Sequence, residues 1–231
     1  VTMTDFAPSL DLIARLVKQF HTNRAAYHAP EYKEAHARQE LIDPLFIALG
    51  WDVHNEKRAA PQYREVILED SLEVEGEDTR KAPDYAFRVG ETRKFFAEAK
   101  KPGVALKTAA RPAYQLRRYA WSAKLPLSLL TDFEELGVYD CRSRPSEKDK
   151  AAAGRINYYA FEEYPDRWRE IWDVFSREAV RSGSFDQFTQ TGKGRGTSEV
   201  DAEFLREIEG WRDMLAHNMA LRNPHLSIDD L

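Results

Sequence analysis

Pro83-Asp84-Tyr85-Ala86-Phe87-Arg88-Val89-Gly90-Glu91-Thr92-Arg93-Lys94-Phe95-Phe96-Ala97-Glu98-Ala99-Lys100 is the stretch that decides the reading of this 231-residue chain. Two strand-like runs, Tyr85 to Val89 and Lys94 to Ala99, flank Gly90-Glu91-Thr92, a connection suited to a hairpin, so antiparallel pairing is predicted. Because side chains alternate along a strand, Glu98 and Lys100 share one face while Ala99 turns to the other, where a small residue packs. Asp84 opens the neighbouring strand, which brings its carboxylate beside Glu98. Two carboxylates held together repel unless a cation lies between them, and a hard, oxygen-seeking ion such as Mg²⁺ suits the pair. Such an ion activates water against phosphorus, and the Lys100 ammonium would stabilise the developing negative charge, so phosphodiester hydrolysis is the chemistry implied. The bare D-x(n)-E-x-K pattern also arises by chance from surface charges on a hairpin. The strand-like setting, the proline before Asp84 and the basic run that follows favour a site.

Outward from the hairpin, helix and strand signals alternate. Leu10, Ile13, Leu16, Val17 and Phe20 predict an amphipathic helix over residues 9–20, and a second helix is expected from Pro30 to Leu49, stopped by Gly50. Trp51 to Val53 and Tyr63 to Leu68 read as short strands, and the acidic stretch to Asp78 as a loop. Leu106 to Ala123 is helical in pattern, with Pro112 in its first turn. Leu125 to Leu130 suits a central strand covered on both faces, followed by a shorter run at Leu136 to Tyr139. Phe161 to Val180 carries Trp168, Ile171, Trp172 and Phe175 on one helical stripe. The expected organisation is a domain over residues 1–180, a Gly-rich linker over 181–198 and a helical spacer over 199–231, marked by Phe204, Ile208, Trp211 and Leu215. Ser227-Ile-Asp-Asp looks like the N-cap of a further helix, so the chain reads as a fragment of something longer.

With 42% hydrophobic residues the chain can bury a core, and no apolar run approaches the roughly 20 residues that cross a bilayer. No export signal opens it, so a soluble cytoplasmic protein is expected, without membrane partners. The single cysteine excludes an internal disulfide, and the spacing of the six histidines argues against structural zinc. The net charge of -5 argues against a protein that coats nucleic acid by bulk electrostatics. The distribution is more telling than the sum: Lys100, Lys101, Lys107, Arg111, Arg117, Arg118 and Lys124 lie between Ala99 and Thr131 with no acid among them, whereas Glu65 to Asp78 holds seven acids and no base. Such separation fits one face for phosphates and another for carboxylates, although charge blocks also occur as plain solvated surface.

Four ordered stretches make a resemblance specific: Arg38-Gln-Glu-Leu-Ile-Asp-Pro-Leu-Phe with Leu49-Gly-Trp, Lys81-Ala-Pro-Asp-Tyr-Ala-Phe, Phe96-Ala-Glu-Ala-Lys-Lys-Pro, and Tyr114-Gln-Leu-Arg-Arg-Tyr-Ala-Trp-Ser. In these the chain resembles the N-terminal PD-(D/E)xK nuclease domain of type IIG restriction-modification proteins, to which the nuclease domain of type I restriction subunits is related. The resemblance implies an α/β fold, a restriction-endonuclease-like mixed sheet flanked by helices with a C-terminal helical extension. It implies an Mg²⁺-dependent endonuclease that cleaves foreign double-stranded DNA. Asp84, Glu98 and Lys100 would be catalytic, with Gln115 and Tyr119 matching a Q-x-x-x-Y element on one helical face, and Glu40, Asp84, Glu98 and the Ala99 carbonyl at the metal. Lys101, Lys107, Arg111, Arg117 and Arg118 would meet the DNA backbone. The tail resembles the spacer before a methyltransferase, so S-adenosylmethionine would bind only a downstream domain. Target recognition would also lie downstream, and a double-strand break would take a transient dimer. A repair or recombination nuclease of the same fold and a DNA-binding module that has lost cleavage are the competing readings.

Overall fold

The hairpin forms as read: β2 (Tyr85–Val89) and β3 (Thr92–Ala99) pair antiparallel from Tyr85 with Ala97 to Val89 with Thr92. Gly90 turns the chain with φ +59, a conformation that costs glycine little, and Glu91 completes a two-residue loop. We describe residues 6–74 and 80–191 of a computed structural model. They form one mixed six-stranded sheet in chain order, with β1 (Val66–Leu68) beside β2 and, beyond β3, β4 (Leu127–Thr131), β5 (Glu135–Asp140) and β6 (Arg155–Ala160). All neighbours run antiparallel except β3 and β4, which are parallel and joined through α4 (Ala110–Ser122). A parallel pair needs such a crossover, and this one carries a helix over the face where Glu98 lies.

Period-2 alternation divides the core between the two faces. Tyr85, Phe87, Phe95, Ala97, Leu127 and Leu129 pack under α1 (Phe6–Tyr27), α3 (Asp43–Ala48) and α5 (Tyr164–Phe175). Ala86, Phe96 and Leu130 pack with Leu116 and Ala120 of α4. β4 is buried along its whole length, as expected of a central strand. Polar groups trapped in the larger core are satisfied: the Trp168 indole donates to Ser9 Oγ (2.8 Å), which donates to the Ala48 carbonyl (2.6 Å), and the Trp51 indole donates to the Phe175 carbonyl (2.9 Å).

Several elements differ from the sequence reading. The second helix starts at Glu34, not Pro30, as α2 (Glu34–Ala37), and continues through a π-helical segment (Arg38–Ile42) into α3, which Gly50 follows with φ 86. Residues 51–53 are irregular, not a strand, because the Asp52 carboxylate accepts the backbone N–H groups of Glu56 (2.7 Å) and Lys57 (3.1 Å) and folds the segment into a turn. Residues 61–63 make a 3₁₀ turn, so only Val66–Leu68 pairs as the strand. α4 begins at Ala110, because Leu106 and Lys107 give their N–H groups to the Glu135 carboxylate. β6 was not foreseen, although Arg155-Ile-Asn-Tyr-Tyr-Ala has strand composition. The helix expected to run unbroken to Val180 is interrupted at Ser176, whose hydroxyl caps α6 (Arg177–Ser182) by accepting from Ala179 N–H (3.0 Å).

The stretch read as a linker from Arg181 contains α7 (Ser184–Thr191). Its Phe185 is 1% exposed and meets Phe95 and Phe175 at ring separations of 5.7 and 5.9 Å, and Lys94 pairs with Asp186 (2.9 Å), so the segment is docked on the sheet. The rest of the expected linker and the helices expected over 199–231 lie outside the described residues. No helix among the described residues is long and apolar enough to cross a membrane.

Candidate active site

Asp84 and Glu98 meet because of register. Tyr85 pairs with Ala97, so the residues one step further along face each other across the end of the hairpin, with Cβ atoms about 5 Å apart by cross-strand geometry. Asp84 Oδ2 accepts the Ala99 N–H (2.8 Å), which fixes its carboxylate against β3. Glu98 is 3% exposed. One of its oxygens, Oε1, accepts from Lys100 Nζ (2.9 Å) and from Gln115 Nε2 (2.6 Å), whereas Oε2 is buried with no hydrogen-bond partner. Lys100 also donates to the Ala99 carbonyl (2.7 Å). Burial, then the charge of Asp84, pushes the Glu98 carboxyl up to about 7. Burial draws the Lys100 ammonium down, but Glu98, Glu34 and Asp84 outweigh it, and the net direction is up.

Two groups that the sequence reading did not name complete the cluster. Glu34, in the first turn of α2, lies 3.8 Å from Lys100 Nζ; partial burial, against the pull of Lys100, raises its carboxyl. The Arg38 guanidinium lies 3.5 Å from Asp84 Oδ1 and stacks 5.1 Å from the centre of the Tyr85 ring, whose hydroxyl is held by buried Asp43 (2.6 Å). Their i, i+4 spacing on one helical face, aimed at the hairpin end, is the signal that could have found them. Glu40, six residues beyond Glu34 and so turned well round the helix, is exposed instead, and its carboxylate accepts from the Tyr32 hydroxyl (3.4 Å).

The remaining nominated residues scatter. Gln115 reaches the cluster from α4 and holds Glu98. Tyr119, one turn on, lies in the core beneath α4 with Phe96 and Leu130. Arg117 is 4% exposed and pairs with Asp149 (2.7 Å), which removes it from the side chains that can meet a phosphate. Arg118 stacks near Tyr114 (6.0 Å). Lys107 and Arg111 are exposed and Lys101 half-buried.

The donor chemistry fits a hard divalent cation: the Asp84 carboxylate, the Ala99 carbonyl and the unpartnered Glu98 Oε2 are all oxygens, the last in want of a positive partner. Among the described residues no group of three or more His, Cys, Asp and Glu side chains is placed to hold a metal, so the backbone carbonyl and water would have to complete any coordination shell.

The family model described as type I restriction enzyme R protein N terminus matches residues 31–147, which contain Glu34, Asp84, Glu98, Lys100 and Gln115. The chain is 37% identical over 225 residues to the type II restriction enzyme and methyltransferase RM.Eco57I of Escherichia coli, a match that covers 96% of this chain. The chain spans 22% of the length of that relative. No solved structure matches. By the family model the chain belongs to the family of type I restriction enzyme R protein N termini, and its mixed sheet flanked by helices is of the restriction-endonuclease-like type.

Proposed function

We propose that this chain hydrolyses phosphodiester bonds in double-stranded DNA with the help of Mg²⁺, as the endonuclease part of a type IIG restriction-modification protein acting in the cytoplasm. The observation that carries this reading is the buried, unpartnered Glu98 Oε2 beside Asp84 and Lys100, an arrangement that a protein has no structural reason to maintain. Asp84, Glu98 and the Ala99 carbonyl would hold the ion, which when bound supplies Lewis acidity at a phosphoryl oxygen and activates water. The protein's own groups do the rest. Gln115 holds Glu98 Oε1, so that Oε2 keeps its direction. The Ala99 N–H does the same for Asp84. Lys100, kept protonated by its carboxylate neighbours, places positive charge where negative charge grows on the phosphoryl oxygens.

The test is cleavage of plasmid DNA by the full-length protein carrying Asp84→Ala, Glu98→Ala or Lys100→Ala. Each is expected to abolish cutting, with circular dichroism and any methylation checking that the variant is folded. Near-normal cutting by any one of them would place the active site elsewhere.

A further inference from the structure

The row of residues that carries Asp84 and Glu98 continues across the sheet. Glu98 pairs with Leu130, Leu130 with Gly137, and Gly137 with Tyr158. Cross-strand partners share a face, so the Tyr158 ring and the Glu98 carboxylate lie on the same side of the sheet, three strand steps or roughly 14 Å apart. Leu130, buried under α4, and Gly137 lie between them, and a Cβ on Gly137 would stand 2.8 Å from the Tyr139 ring.

Two cations gather over Tyr158. Lys107 Nζ and the Arg155 guanidinium carbon each lie 5.2 Å from the ring centre. Lys107 is fastened there at its backbone: its N–H reaches Glu135 (3.2 Å), and its carbonyl accepts from Arg155 (3.0 Å). The Glu135 carboxylate, the acid next to the ring, is already engaged by the N–H groups of Leu106 and Lys107 and by the Tyr158 hydroxyl. Neither Lys107 nor Arg155 forms an ion pair with a carboxylate among the described residues. The two cations thus stand over the ring beside a carboxylate whose oxygens are taken by backbone and hydroxyl donors, on the side of the sheet that carries Glu98.

We propose that Lys107, Arg155 and Tyr158 form a platform that holds a backbone phosphate of the DNA on one side of the bond to be cut. The proposal rests on the nuclease reading for its choice of anion. The distance to Glu98 is short beside the length of a duplex, so DNA engaged at Glu98 brings another of its phosphates near Lys107 and Arg155. Of the two cations only Lys107 belongs to the basic run; Arg155 and Tyr158 come from β6, 50 residues away in sequence, and join it only through the register.

The test is binding of a short fluorescent duplex by the 231-residue chain, without divalent cations, over a series of salt concentrations. Lys107→Ala/Arg155→Ala is expected to bind about tenfold more weakly at low salt. The slope of log affinity against log salt should fall in magnitude by about 1, close to the 0.9 of one phosphate no longer neutralised. Tyr158→Phe keeps the ring and should bind like the wild type. Lys18→Ala, an exposed lysine on α1, should leave the slope unchanged. Thermal unfolding checks that the double variant is folded. A double variant with wild-type affinity and slope, or a Lys18→Ala loss equal to that of the double variant, would overturn the platform. Failure of the nuclease reading would look different: wild-type full-length protein with Mg²⁺ would leave DNA uncut, while the change in slope remained.

Discussion

Glu98 has one oxygen with two donors and one with none, and this asymmetry makes the residue a reporter of its own charge. Its carboxyl titrates near 7 in the folded chain, above the ordinary glutamate value of the unfolded chain. Between those two values the folded state binds more protons than the unfolded state, so stability falls as pH rises through this window and is greatest below it. In metal-free buffer the chain should therefore unfold at lower temperature at pH 8 than at pH 5.5 as far as Glu98 is concerned. Mg²⁺ or Ca²⁺ at pH 8 should raise the unfolding temperature by neutralising the buried charge. Glu98→Gln, neutral at every pH, should lack both the fall across this window and the metal-induced rise. Calorimetric scans of the two proteins check this, and an equal metal response in Glu98→Gln would remove Glu98 from the metal site.

Among the elements, α4 and α7 have the clearest separate duties. α4 delivers Gln115 to Glu98 across the β3–β4 crossover, and loss of such a supporting hydrogen bond commonly costs 10- to 100-fold in metal affinity or activity. Gln115→Leu in the full-length protein is expected to lose cleavage within about that range and to require more Mg²⁺ for half-maximal rate. Plasmid cleavage over an Mg²⁺ titration measures both, and an unchanged Mg²⁺ requirement would relegate Gln115 to packing. α7 is tied to the sheet by Phe185, wedged between Phe95 and Phe175. Phe185→Ala should destabilise the chain by about 3 kcal/mol, the usual cost of emptying a buried aromatic site, read from urea unfolding. A segment that merely linked two parts would show no change. α7 escaped the sequence reading because four glycines dominated the composition of residues 181–198, whereas docking depended on Phe185 and on the distant partners of Asp186 and Thr189, Lys94 and Arg142.

For the molecule as a whole, the candidate site faces a surface with few free cations among the described residues. Arg117 is buried, Lys100 is held by Glu98, and the exposed remainder of the basic run is short. Weak, salt-sensitive and sequence-indifferent DNA binding is therefore expected of this chain by itself, since base reading needs an element that enters a groove. A single centre cuts one strand at a time. Incubated alone with supercoiled plasmid at low salt, the 231-residue chain should produce slow nicking that depends on Mg²⁺. Discrete linear fragments would show that sequence recognition resides within these residues.

What the sequence determined by itself was the local arrangement: the hairpin, the central strand β4, the helical stripe of α5, and the convergence of Asp84, Glu98 and Lys100. These depend on period-2 and period-3.6 patterning and on one short turn, and such information lies within a few residues of where it acts. Tertiary structure alone decided that Glu34 and Arg38, rather than Glu40, face the hairpin end, because helix phase and the π-helical segment choose the face. It also withdrew Arg117 into a pair with Asp149 and brought Tyr158 and Arg155 into line with Glu98. Pairings between residues tens of positions apart are set by the global packing of the sheet, and no local spacing encodes them.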